Sequence, residues 1–383
     1  NFFDGNNQVI DYKYGQTFDA EVERFYDLQN KMVLGGVTDE DISWYEEVIN
    51  DEKFLKNVDI YGNYMHGTHV AGIMMKELES SKLLSVKIIP TDFDEEVASA
   101  IAIKSKPNKG FKGALVKFGL KLLAKAQNKE LVEVSKYIKK HNVEIANGSF
   151  GTGYFEAKSL VEMILVQEFG MTLSEEQKND YALSFIKSLE KASKKMVRKA
   201  PKTLFVFAAG NDGTNNDELP STPANVRSDN VLSVAATFGF DSLADFSNFG
   251  ERTVDVAAPG VAIESAKPDG GYMRVSGTSQ AAPYVANIAG LMKEANEALK
   301  VKELKQMIME TVTKREWLVG KVVSSGIIHK ERAIYAAKLT LMMDVSDAIS
   351  QANTDIEDIE EGIQSLVKPR YLKGLVRPLP SLF

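Results

Sequence analysis

Leu204-Phe205-Val206-Phe207-Ala208-Ala209 is a nearly continuous apolar run, the pattern of a strand buried on both faces of a parallel sheet. Such a strand constrains the whole chain, because a sheet covered on both faces needs helical layers above and below it. The runs Val231 to Ala236 and Val254 to Ala258, with the shorter Val86-Lys87-Ile88-Ile89 and Val143-Glu144-Ile145-Ala146, repeat the signal. Helical stripes lie between them. Leu131, Val134 and Ile138 form one; Ala182, Phe185, Ile186, Leu189, Ala192 and Met196 form another, opened by a Ser174/Gln177 capping box and ended by Pro201. The expected fold class is α/β, a three-layer, mostly parallel sheet with helices on both faces and helical insertions. A chain of 383 residues with 44% hydrophobic content can bury the core of one such domain.

The chemistry gathers around Ser276-Gly277-Thr278-Ser279-Gln280-Ala281-Ala282-Pro283. The extended run Gly271 to Val275 precedes it, and Ala282, Val285, Ala286, Ala289, Gly290 and Met292 follow at helical spacing. Pro283 fits only the first turn of that helix. Ser279 thus sits at a helix N-terminus, where free backbone N–H groups favour a developing oxyanion. Taken alone, the stretch reads equally well as a capping serine on a buried helix.

Three further stretches fall in order along the chain: His66-Gly67-Thr68-His69-Val70-Ala71-Gly72, Asn147-Gly148-Ser149-Phe150-Gly151 and Ala208-Ala209-Gly210-Asn211-Asp212-Gly213. Together with the serine stretch they resemble the subtilisin-like serine proteases, the subtilases, whose triad runs Asp, His, Ser along the chain. Ser221-Thr222-Pro223-Ala224, Ser247-Asn248-Phe249-Gly250 and Ala257-Ala258-Pro259-Gly260 are similar to further segments of that family. The resemblance implies a serine endopeptidase with Ser279 as nucleophile, His66 as base and Asn211 as oxyanion donor. It also implies that Ser149, Phe150 and Gly151 bind substrate as one wall, with Ala208, Ala209 and Gly210 as the other. By the same resemblance His69 is a packing residue, and the histidine motif is expected to open a helix whose small residues pack against the helix of Ser279. Outside it, Asn211 would read as a turn residue, and His329 as structural.

The family's aspartate ends a buried strand and is followed by Ser or Thr and then Gly; no such strand occurs before His66. The resemblance therefore places it upstream of Asn1, within about ten to thirty residues given the short connections of compact domains. Asp11, in Val9-Ile10-Asp11, is the nearest imitation within the chain. The expected peptidase domain spans 1–338, N-terminally incomplete, with insertions at about 90–140 and 154–201 and a tail over 339–383. Residues 19–60 read as helical, with Trp44, Tyr45, Val48 and Ile49 as an apolar face. Gln280 replaces the family's usual Met, and Gly148 and Phe150 replace its commoner Met and Leu, changes that bear on specificity before activity.

A formal net charge of -7 gives no general reason to expect nucleic acid or an anionic membrane as partner. No 18-residue apolar run suggests a membrane span. The absence of Cys removes thiolate nucleophiles and disulfides. Polypeptides are the expected substrates, no cofactor is needed for the chemistry, and structural calcium, common in the family, has no ligand run to assign it. An extracytoplasmic or secreted setting follows from the resemblance. Two other classes remain open: a catalytically inactive subtilase-like binding module, and an α/β-hydrolase esterase, which the Gly277-x-Ser279-x-Ala281 spacing and a His preceding the Ser disfavour.

Overall fold

The apolar runs form the centre of one sheet in the computed structural model, which describes residues 9–10, 12–14, 20–89, 91, 129–168, 170–268 and 270–360. The chain enters through α1 (Ala20–Leu34), α2 (Asp39–Val48) and α3 (Glu52–Met74). After a helix over 129–140 (α4) comes β1 (Ile145–Gly148), followed by α5 (Tyr154–Val161), a π-helical turn (Glu162–Glu168) and α6 (Glu175–Lys199). Next are β2 (Leu204–Ala208), β3 (Val231–Phe238), the short β4 (Ser242–Leu243) and β5 (Val256–Pro259). A separate hairpin, β6 (Ile263–Ala266) and β7 (Tyr272–Val275), leads into α7 (Thr278–Ala295). Then follow α8 (Val301–Glu310), β8 (Thr313–Lys314), β9 (Gly326–Ile327), α9 (Lys330–Leu339) and α10 (Val345–Asp355).

The sheet order is β1-β2-β3-β5-β9-β8, parallel from β1 to β9, with β4 paired antiparallel to β3 and β8 to β9. Within the continuous apolar run of β2, the two-residue period of a strand separates the side chains. Leu204, Val206 and Ala208 join Leu232, Val234, Val256 and Ala258 in the core shared with α7, α8 and α9. Phe205 and Phe207 point to the opposite core, against α4 and α6. Both faces of the sheet are covered, as a mostly parallel α/β sheet requires.

α6 carries the cap expected of it: Ser174 accepts from the Gln177 backbone while the Gln177 side chain accepts from the Ser174 N–H. The stripes of α1, α2 and α3 close a satellite core around Phe25, Trp44, Phe54, Val58 and Met65. Val275 of β7 belongs to that same core, which fastens the approach to α7 to the N-terminal helices.

Several expectations need correction. Val86 to Ile89 form no strand; Val86 and Ile88 instead rest against the core of Phe205 and Phe207. An extended segment becomes a strand only where a neighbour supplies ladder hydrogen bonds, and none of the described residues does so there. His66 does not open a helix, because α3 starts fourteen residues earlier at Glu52, where Asp51 accepts from the Lys53 and Phe54 N–H groups. Phe54, Val58, Tyr61 and Met65 then keep one buried seam through to the motif. The helix of the histidine motif does pack against α7, where Asn287 donates to the Met74 and Lys76 carbonyls, but Gly72 faces β6, since a Cβ there would collide with the Ser265 hydroxyl. Asp11, residues 92–128 of the first insertion and residues 361–383 of the tail lie outside the described residues.

Phe207 anchors the sheet on its α4/α6 side, stacked on Phe205 with centroids 5.9 Å apart and edge-on to Phe150 at 6.4 Å. Phe207→Ala is expected to cost about 3–5 kcal/mol, the usual penalty for a buried aromatic, read from urea unfolding midpoints.

Candidate active site

Three loop-to-element junctions meet at the start of α7: the end of β1, the end of β2 and the turn out of β7. Ser279 is the second residue of α7 and only 4% exposed. Its backbone N–H belongs to the first turn, where no intrahelical acceptor exists. Gly277 precedes the helix without a side-chain cap. The point where a Cβ would stand on Gly277 lies 2.9 Å from Gln280 Oε1, 3.4 Å from Asn211 Nδ2 and 3.7 Å from the Ser279 backbone nitrogen. Two donors and the side-chain oxygen of Gln280 therefore border one small space beside the serine.

Asn211 is fixed by its other end. Its Oδ1 accepts from the Thr278 backbone N–H at 2.9 Å and from the Thr278 hydroxyl at 2.8 Å, and the Thr278 Oγ1 accepts from the Gly210 N–H at 3.2 Å. The oxygen assignment follows from this network, since Thr278 N–H can only donate. Gly210 has φ +122°, a conformation L side chains avoid, and a Cβ there would collide with the Asn248 amide. Asn248 in turn braces the loop: its Oδ1 accepts from the Asp212 and Thr214 N–H groups, and its Nδ2 donates to Asn216 Oδ1.

Ser149 is tied to the same helix start. Its hydroxyl donates to the Ser279 carbonyl at 2.9 Å and accepts from Asn147 Nδ2 at 2.9 Å. The side chain thus positions α7. Phe150 packs into the core beside Phe207. Gly151 is buried, and Thr152 pairs with Thr222 through reciprocal backbone bonds of 2.9 and 3.1 Å. Ala208 and Ala209 are fully enclosed, so only their backbones and that of Gly210 can line a pocket.

The two histidines of α3 differ in what they leave available. His69 is fully buried; its Nε2 meets the Met273 carbonyl at 3.1 Å and its Nδ1 lies 3.5 Å from Gln280 Nε2. A carbonyl partner requires the proton on Nε2, which leaves Nδ1 as acceptor for the Gln280 amide. That ring is occupied on both sides. His66 is half-buried, and its Nε2 is enclosed with no hydrogen-bond partner. Among the described residues no hydrogen bond joins His66 to Ser279, so the structure brings Ser279, Asn211 and Ser149 together without linking His66 to them by a hydrogen bond. Burial first, then the neighbouring His69, hold the His66 imidazole down at about 4. No described carboxylate opposes that depression. Burial holds His69 at about 4 as well, against the opposing pull of its backbone carbonyl contacts.

His329 is structural, as expected: it caps α9 by accepting from the Arg332 N–H, and its Nε2 meets the Glu357 carbonyl at 3.0 Å. Among the described residues no group of three or more His, Asp or Glu is arranged to hold a metal ion. Nor is any described helix long and apolar enough to cross a membrane. Thr278 and Asn248 had no role assigned from sequence. Asn248 stood within a segment of family resemblance, but nothing in one sequence says that its amide braces the loop of Asn211.

Fold and site define a parallel α/β protein with a serine on a helix N-terminus, facing an asparagine amide from the neighbouring strand end. The subtilase family profile (peptidase S8) matches residues 12–325, and the chain belongs to that family. It is 43% identical over 108 residues to a cell wall-associated protease of Bacillus subtilis, covering 28% of this chain and 11% of that protein. It is 33% identical over 132 residues to alkaline elastase YaB of a Bacillus species, covering 34% and 32% respectively. To subtilisin-like protease 7 of Trichophyton violaceum it is 46% identical over 109 residues, covering 27% and 26%. The matched stretches thus span a third or less of each of these relatives. Among solved structures, a cold-adapted subtilisin-like serine proteinase aligns with TM-score 0.42 at 23% identity, over 69% of this chain and 72% of that one.

The two depressed histidines make stability depend on pH. Both are neutral in the fold, whereas an unfolded chain takes up protons at the ordinary value of 6.5. Their contribution is therefore complete above about pH 6.5 and is lost as the pH falls towards about 4. Urea midpoints are expected to drop between about pH 7 and 5, and His69→Gln should flatten that slope. An equally steep slope in the variant would remove His69 from the account.

Proposed function

We propose that this protein is a serine endopeptidase that hydrolyses peptide bonds of polypeptide substrates. Ser279 attacks the scissile carbonyl while His66 Nε2 takes the hydroxyl proton and returns it to the leaving amine. Water, activated by the same imidazole, then releases the acyl group and restores Ser279. The observation that supports this most directly is the approach of Asn211 Nδ2 and the Ser279 backbone nitrogen to the space beside Gly277, which Gln280 Oε1 also borders and where the tetrahedral oxyanion would sit. The backbones of 149–151 and 208–210 would receive the substrate as an added strand. In this reading a carboxylate on the far nitrogen of His66 holds its tautomer and supports the imidazolium. The chemistry requires no metal or cofactor. An extracytoplasmic setting accords with the cell wall-associated relative.

A serine-directed phosphonate is expected to label Ser279 and abolish peptide hydrolysis, with Ser279→Ala inert; peptide mapping locates the adduct. Labelling at another residue, or turnover by Ser279→Ala, would remove Ser279 from the mechanism. The same experiment separates the enzyme from a catalytically silent binding module, the reading favoured by the missing His66–Ser279 hydrogen bond.

Asn211→Ala should lower kcat by about 10²–10³-fold with KM little changed, the size known for loss of the oxyanion asparagine in subtilisin, the type enzyme of this family. An unaltered kcat in a folded variant would return Asn211 to the role of a turn residue.

A further inference from the structure

Two carboxyl groups meet where the two walls of the site come together. Glu156, on the first turn of α5, turns back so that its Oε2 accepts from the Gly153 N–H at 3.0 Å. Asp212, the residue after Asn211, reaches the same point from the other wall. A Cβ on Gly153 would stand 2.7 Å from Glu156 Oε2 and 3.1 Å from Asp212 Oδ2, so both carboxyl groups border the same point. Two ionised carboxylates are acceptor-only and repel at such a meeting point, whereas one proton held by either of them allows a hydrogen bond.

We propose that Glu156 and Asp212 share one proton in a carboxyl–carboxylate hydrogen bond that clamps the substrate-strand wall (149–153) to the oxyanion loop (210–212), making Glu156 a positioning residue for Asn211. The inference rests on the endopeptidase reading above. Glu156 has its acidity weakened first by burial and then by the charge of Asp212, which raises its carboxyl to about 7. The Gly153 N–H and the Glu156 backbone N–H pull the other way. On the Asp212 side, Asn248 Nδ2 lies 3.4 Å from Oδ2. The charged groups on the packed elements are committed elsewhere: Lys158 and Lys178 to Glu175, Lys178 also to Glu162, and Arg252 to Asp217.

The sign follows from the charge. With one proton present, the O–H···O⁻ bond draws Gly153 and Asp212 together. When that proton passes to solvent, two like charges face each other in a partly buried place and push the walls apart. The Asp212 backbone is held by Asn248, so the displacement passes to its neighbour Asn211, whose Nδ2 must sit within hydrogen-bond distance of the oxyanion. A shift of this kind lowers kcat more than it raises KM.

The test is the pH dependence of kcat for the full chain between about pH 5.5 and 9.5, with active sites counted by Ser279 labelling, beside Glu156→Gln. In the wild type, kcat is expected to fall about tenfold through an alkaline limb near the titration of the pair, a size in keeping with modest misplacement of one donor. In Glu156→Gln the amide oxygen can accept from Gly153 while its NH₂ donates to a permanently ionised Asp212, so the limb should disappear. Asp212→Asn, which puts the permanent donor on the other partner, should do the same and serves if the glutamine variant folds poorly. An identical limb in the variants, or none in the wild type, overturns the proposal. Infrared difference spectra between wild type and Glu156→Gln read the pair without turnover: a protonated carboxyl stretch at pH 6 that vanishes by pH 9 supports the shared proton, and its absence at pH 6 overturns it. Failure of the endopeptidase reading looks different, as no Ser279-dependent hydrolysis at any pH; the clamp would then have no oxyanion donor to position, and the proposal would fall with it.

Discussion

The site hangs on one side chain holding two backbones together. Asn211 accepts twice from Thr278, and through those two bonds the loop leaving β2 is locked to the first residue of α7. Both bonds are buried, so each would leave an unsatisfied donor if broken, and the asymmetry of hydrogen-bond energetics makes such a loss expensive. The Thr278 hydroxyl relays the restraint to the Gly210 N–H, and Asn248 restrains the loop from outside. The Asn211 amide is thereby fixed relative to the Ser279 end of α7.

Behind that lock stands the parallel sheet. Its strands end at one edge, and the loops at β1 and β2 both reach α7: Ser149 through its hydroxyl on the Ser279 carbonyl, Asn211 through Thr278. The helix is almost wholly apolar or small-residue in its buried face, with Ala281, Ala282, Val285, Ala286 and Ala289 against the strands. Small side chains let the helix approach the sheet closely, and the start of α7 can then be gripped by short polar side chains. A bulkier face would lift Ser279 away from both.

The histidine helix is joined to this unit by different means. Gln280 and Met273 hold His69 from two elements, Asn287 donates to the Met74 and Lys76 carbonyls, and Val275 enters the core of the N-terminal helices. Each contact fixes α3 as a body. None of them reaches the ring of His66, whose Nε2 is enclosed without a hydrogen-bond partner among the described residues.

The sequence by itself determined the class of fold, the apolar strand runs at 204–209 and 231–236, the cap of α6, the serine at the helix start and the family, because each rests on local periodicity, local hydrogen bonding or a short motif. Tertiary structure decided the rest. Helix α3 ran on through the histidine motif because its seam found a partner in α1 and α2, and Val86 to Ile89 stayed irregular because no described ladder neighbour met them. Asn248 became the brace of the loop that carries Asn211, and Glu156 came to face Asp212, although 37 positions separate Asn211 from Asn248 and 56 separate Glu156 from Asp212 along the chain. Such pairings are made by the closing of the fold, where distance in space no longer follows distance along the chain, and no single stretch of sequence carries them.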